Sequence, residues 1–208
     1  MTALADNAAL PALPEPVRDP AALLAQTRRQ WGGCDDLWLF GYASLIWRPD
    51  FDADEQRPAL VRGFHRTLRM HSRVNRGTPA RPGLVFALLA GGSCRGVAYR
   101  IARERADAVL ERLWEREMPT GVYTPRWLPC ITPQGHVRAL AFTLERSSPN
   151  YTGAIDDARM LDILRHARGR YGSTLDYLMD TARCLVQRGV RDREIERLVQ
   201  LARHHGLV

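Results

Sequence analysis

The sequence predicts an α+β fold, and three observations carry that expectation. Short runs with strand character occupy the middle of the chain. One helical stretch interrupts them, and three more helical stretches follow. Segregated runs of this kind build a sheet with helices packed on it rather than an alternating βαβ array. The length of 208 residues suits one large domain, which buries enough apolar surface to fold without staples. An apolar fraction of 45 % with 25 % charged residues is ordinary for a soluble globular protein.

Residues 1–35 read as an N-terminal arm, partly mobile, and 36–208 as a single domain. The arm opens with several prolines, then offers a short helix over 20–31 that must stop before Gly32-Gly33. Strands are expected at 37–42, 60–70, 84–90, 95–101, 126–131 and 136–144, separated by Gly, Pro and Ser clusters. The inserted helix covers 102–118, and the tail helices cover 155–168, 174–188 and 191–205.

The segment 39–47 is the most informative stretch. An apolar strand breaks at Gly41 into a turn carrying Ala43 and Ser44. Such a turn leaves several backbone N–H groups unpaired by a ladder, to be met by water or by an anionic or carbonyl-bearing ligand. The helix at 102–118 adds an acid where periodicity wants an apolar residue. Ala106, Leu110, Leu113 and Trp114 share one stripe, and Glu117 falls on it, three residues after Trp114 and seven after Leu110. Glu111 and Glu115 lie on the opposite or flanking side with Arg112 and Arg116. An inward carboxylate either pairs in the core or has its pKa raised by desolvation, and a raised carboxyl suits proton transfer near neutral pH.

Other function classes are less well supported. All 30 basic residues are Arg, scattered among acids, so a net charge of +7 reads as a bias of the whole chain rather than as a nucleic-acid site. A positive field still favours an anionic small molecule. Cys34, Cys94, Cys130 and Cys184 are widely spaced and expected to be free thiols. The six histidines show neither HxxxH nor HExxH spacing, so no metal is expected, and Ser44 is not in a GxSxG elbow. No apolar run approaches a membrane span, and the N-terminus lacks a basic n-region, so a cytoplasmic protein is expected. The polar loop 72–83 and the turn 150–153 are surface connections by default. Tyr151 in that turn either covers the core or offers its phenol to a ligand.

Five motifs in order resemble the ChaC-like γ-glutamylcyclotransferase family. They are the turn 40–47 (FGYASLIW), the loop 76–83 (RGTPARPG), the strand 96–100 (GVAYR), Arg116-Glu117 followed by Gly121 and Tyr123, and the turn 150–153 (NYTG). The resemblance spans roughly residues 37–178. It implies a small mixed β-barrel flanked by helices, with a helical C-terminal tail. It implies cleavage of glutathione to 5-oxoproline and cysteinylglycine by intramolecular aminolysis, with no cofactor and no metal. Glu117 takes the general acid/base role, and Gly41, Tyr42, Ala43, Ser44, Leu45, Ile46 and Tyr151 bind substrate, the turn largely through main chain. The implied partner is the small-molecule substrate, with no nucleic acid and no membrane, on a monomer or weak dimer. Arg76 and Arg100 either meet substrate carboxylates or pair with acids. Ala43 stands where the family turn usually has Gly, so a positive φ there would conflict with its Cβ. The alternatives are a cyclotransferase for other γ-glutamyl amines or dipeptides, a non-catalytic γ-glutamyl-binding protein, and an Arg-rich nucleic-acid binder.

Overall fold

The computed structural model describes residues 17–208; most of the expected proline-rich arm lies outside them. Helix α1 (Pro20–Trp31) opens the described chain. Asp19 caps it by accepting from Ala21 N–H at 2.8 Å, Pro20 sits in its first turn, and Gly32 ends it at φ 82°. Strand β1 (Leu37–Gly41) follows, then a four-residue helix, α2 (Ser44–Trp47). The long strands β2 (Glu55–Ser72) and β3 (Gly83–Ile101) form a ribbon, α3 (Arg103–Glu117) crosses over, and β4 (Thr124–Thr132) and β5 (Gly135–Thr143) complete the sheet.

The five strands close into a barrel in the order β1-β3-β2-β4-β5. Four pairings are antiparallel. The closing pair, β1 with β5 at Leu39–Leu140, is parallel. This is the small mixed barrel the resemblance implied. Closure leaves no free sheet edge and points alternate side chains such as Leu39, Leu88 and Leu140 into one core.

One expectation fails in an instructive way. The runs at 84–90 and 95–101 are not two strands but one, β3. The Gly91-Gly92-Ser93 stretch between them reads locally as a turn. In the fold, Gly91 (φ 106°) and Gly92 (φ 71°) lie opposite Gly63 (φ 82°), where the β2–β3 register shifts between Arg62 and Phe64. The glycines make a bulge that bends the ribbon instead of ending it.

Helices α4 (Asp157–His166), α5 (Thr174–Gln187) and α6 (Arg193–His204) cover the barrel. The helix expected at 155–168 stops early. Ala167 is extended, and Arg168–Gly169 (β6) pairs with Gly172–Ser173 (β7) in a tiny hairpin leading into α5. Ser173 and Asp176 form a reciprocal capping box there. Arg66 on β2 is the deepest tie between barrel and tail. Its side chain is 1 % exposed, pairs with Asp192 at the start of α6 at 2.8 Å, and donates to the Tyr42 carbonyl. Among the described residues no helix is long and apolar enough to cross a membrane.

Candidate active site

Helix α3 brings Glu117 to the site. The helix buries Ala106, Val109, Leu110, Leu113 and Trp114 against the barrel, with Trp114 edge-on to Phe142 at 5.7 Å. Glu117 continues that stripe as the last helical residue. The helix ends there because Pro119 disfavours helical geometry at Met118, which is fully buried and pins the exit. The inward direction read from periodicity is therefore the direction observed.

Strand β1 supplies the opposite wall. It runs out at Gly41, where any Cβ would come within 2.9 Å of the Tyr99 ring and 3.2 Å of Leu45. That close approach lets the chain reverse into α2. Ala43 is the N-cap of α2 with φ −143° and ψ −117°, and it has no side-chain oxygen to cap the helix. The conflict expected for a residue with a Cβ does not arise, because φ is negative. Ser44 and Leu45 occupy the first turn of α2, where helix geometry offers their N–H groups no acceptor. The Tyr99 hydroxyl donates to the Leu45 carbonyl at 2.9 Å and holds the turn from behind.

Between these walls lies a small, partly open pocket lined by Tyr42, Ala43, Ser44, Leu45, Phe86, Glu117, Tyr123, Phe142 and Tyr177. The Glu117 side chain keeps 15 % of its surface open. Burial pushes its pKa above the ordinary carboxyl value, the neighbouring Arg116 pulls it back, and Asp50 pushes it up again. Arg116 Nε stands 3.0 Å from Glu117 Oε1.

Three phenols surround the carboxyl. Burial raises the Tyr42 and Tyr123 hydroxyls well above their usual pKa and Tyr177 to about 12, and proximity to Glu117 adds to each. They are neutral donors at any physiological pH. The Tyr42 hydroxyl already donates to the Phe142 carbonyl at 2.9 Å. The pocket thus holds one exchangeable carboxyl, fixed neutral hydroxyls and a helix start with free N–H groups, set in an apolar shell.

The structure brings together Glu117, Tyr42, Ala43, Ser44 and Leu45 of the expected residues. Gly41 and Ile46 sit behind them as packing, Ile46 at 3 % exposure. Tyr151 is not brought in. It bridges to Met70 on β2, and its hydroxyl accepts from Arg146 at 3.0 Å, so the turn 150–153 fastens to the barrel wall instead. Neither open arginine points to a ligand. Arg76 donates to the Tyr171 carbonyl at 2.5 Å and stacks over Tyr177, while Arg100 pairs with Asp36 at 2.6 Å and Glu55 at 3.2 Å. The loop 72–83 is a structural buckle. A Cβ on Gly77 or Gly83 would lie 2.0 Å from backbone across the loop.

Sequence reasoning missed Phe86, Phe142 and Tyr177 because apolar and aromatic residues on a buried stripe read as core. It also placed Arg116 on the outer flank of the helix, whereas the guanidinium folds back to Glu117, Ser44 Oγ (3.2 Å) and Asp50 (2.6 Å). A wider, more open depression beside the end of α1 is lined by Trp31, Cys34, Trp38, Trp127, Arg138 and neighbours. It shares no residue with the Glu117 pocket. Of its acids Asp35, Asp36 and Glu104, Asp36 is held below the usual carboxyl range by its hydrogen bond from Arg100, the wrong direction for a base at neutral pH.

Comparisons with known proteins give the family and the fold. Residues 37–205 match the family model described as ChaC-like protein. The glutathione-specific γ-glutamylcyclotransferase of Escherichia coli is 33 % identical over 157 residues, covering 75 % of this chain and 68 % of that relative. The mouse glutathione-specific γ-glutamylcyclotransferase 1 is 34 % identical over 176 residues, covering 81 % of this chain and 78 % of the relative. The crystal structure of a yeast γ-glutamyl cyclotransferase specific to glutathione superposes with a TM-score of 0.75 at 21 % identity, over 82 % of this chain and 97 % of that one, which supports the fold. With the family model matching residues 37–205, most of the chain, and relatives at 33 % and 34 % identity, this chain belongs to the ChaC-like protein family.

Proposed function

We propose that this chain is a glutathione-specific γ-glutamylcyclotransferase with Glu117 as its general acid/base. The observation that carries the reading is a single inward carboxyl with a raised pKa, facing an uncapped helix start inside a pocket of neutral hydroxyls. The names of relatives at 33 % and 34 % identity supply the substrate.

The reaction closes a ring. The α-amino nitrogen of the γ-glutamyl unit attacks its own γ-carbonyl, the C–N bond to cysteine breaks, and 5-oxoproline and cysteinylglycine leave. Glu117 accepts a proton from the α-ammonium group, which frees the nitrogen lone pair; after attack the ring nitrogen sheds a second proton, and both pass to the cysteinyl nitrogen, which departs as an ammonium group. No proton is gained or lost overall. General acid–base transfer of this kind is worth about 10²–10⁴ in rate. The N–H groups of Ser44 and Leu45 are suited to steady the oxyanion of the tetrahedral intermediate. Tyr42, Tyr123 and Tyr177 confine the γ-glutamyl chain to a folded, near-attack shape, and the apolar shell keeps out the water that would hydrolyse it.

The test is product identity. Purified protein with millimolar glutathione is expected to release 5-oxoproline and cysteinylglycine in equal amounts, read by mass spectrometry. Release of free glutamate would mean hydrolysis, and no product would leave a binding protein; either result overturns the reading.

A further inference from the structure

The guanidinium of Arg116 uses all three of its nitrogens. Nε faces Glu117 Oε1 at 3.0 Å, Nη2 donates to Ser44 Oγ at 3.2 Å, and Nη1 donates to Asp50 Oδ2 at 2.6 Å and to the Arg48 carbonyl. One side chain therefore joins the base to the substrate turn, and Asp50 anchors it from the far side. Asp50 itself has φ 59°, alone among the described non-glycine residues in the left-handed region. Asp adopts that region more readily than most residues, and the conformation fixes where its carboxylate stands beside Arg116. Asp50 also pairs with Arg48 Nε at 3.2 Å, so it sits between two cations.

We propose that Asp50 is a positioning residue for the cyclisation: its carboxylate orients Arg116 between Glu117 and Ser44 and offsets the charge Arg116 presents to the base. The inference rests on the function proposed above and assigns the site a part beyond it. An unopposed Arg116 would hold Glu117 as a well-stabilised, weakly basic carboxylate. With Asp50 opposite, its carboxylate shared between Arg116 and Arg48, the positive charge that Arg116 presents is reduced, and Glu117 retains more of the basicity that burial confers. The charged and titratable groups around Glu117 come from several elements, and Arg48, just after α2, is bound to Asp50 behind them. Arg116 comes from its own helix, Tyr123 from the segment after it, Tyr42 from the end of β1, Asp50 from the loop after α2, and Tyr177 from α5.

The experiment is the pH dependence of kcat/KM for 5-oxoproline release from glutathione by Asp50→Asn and Asp50→Gly. Gly accepts φ 59° without its carboxylate, so it separates charge from backbone conformation. In both variants the acid limb is expected to move about half to one pH unit lower, with kcat about 3–30-fold lower and KM within about 2-fold, as a weaker base requires. A merely structural role moves no limb, so wild-type profiles in the folded variants would overturn the proposal, as would failure of both to fold. If the wild-type protein released no 5-oxoproline, the reaction assignment would have failed instead. The Asp50 proposal would then stand or fall on whether the Glu117 carboxyl, followed by ¹³C NMR, titrates lower in Asp50→Asn.

Discussion

The two ends of helix α3 treat carboxyl groups in opposite ways. At its N-terminal end, Asp54 accepts from Ala102 N–H at 2.6 Å and Asp36 from Arg103 N–H at 3.1 Å, with Arg105 and Arg100 beside them. Hydrogen bonds to the ionised form hold both acids below their usual pKa. At its C-terminal end, burial holds Glu117 above. The helix dipole favours both, since a helix start stabilises negative charge and a helix end does not. One end fastens the helix, and the other holds a carboxyl whose proton affinity burial has raised.

Breaking the C-terminal end has the largest expected effect. Glu117→Gln keeps the shape and removes the exchangeable proton, so turnover should fall by about 10²–10⁴ while glutathione binding, read by calorimetry, persists. The middle of the helix comes next. Trp114→Ala empties the contact with Phe142 and should cost about 3–5 kcal/mol in denaturant unfolding.

The subtler predictions are opposite in sign. Because the folded pKa of Glu117 is raised, its contribution to stability is fully present below the ordinary glutamate value of about 4.3 and is lost as pH rises through the folded value. Glu117→Gln should therefore melt higher than wild type at pH 7, and the gain should vanish in acid. Asp54 has a lowered pKa, so its contribution is present above about 3.9 and lost as pH falls through the folded value. Asp54→Asn should melt slightly lower than wild type at pH 7, converge with it in acid, and leave turnover unchanged. Melting curves of both variants across pH check the two signs together.

What the sequence disclosed followed from local rules. Period 3.6 placed Glu117 inward, and Gly32-Gly33 marked the end of α1, where Gly32 takes a left-handed cap. What it hid was set across the fold. Gly91-Gly92 became a bulge only because Gly63 on the neighbouring strand bends with it. Tyr177 and Phe86 stand 5.6 Å apart in a pattern no different from core, and only the closed barrel turns that core into a pocket wall. The four residues of α2 are too few for periodicity to show. Arg116 escaped because a long flexible side chain at a helix end can reach around to the other face, which counting by 100° cannot reveal.

The most direct test is a ¹³C NMR titration of glutamate carboxyls in wild type and Glu117→Gln, which identifies the Glu117 signal by its absence. A midpoint above the ordinary value of about 4.3 is the expected result. A midpoint at or below it would mean that Arg116 outweighs burial, and that the two ends of the helix hold their acids in the same way.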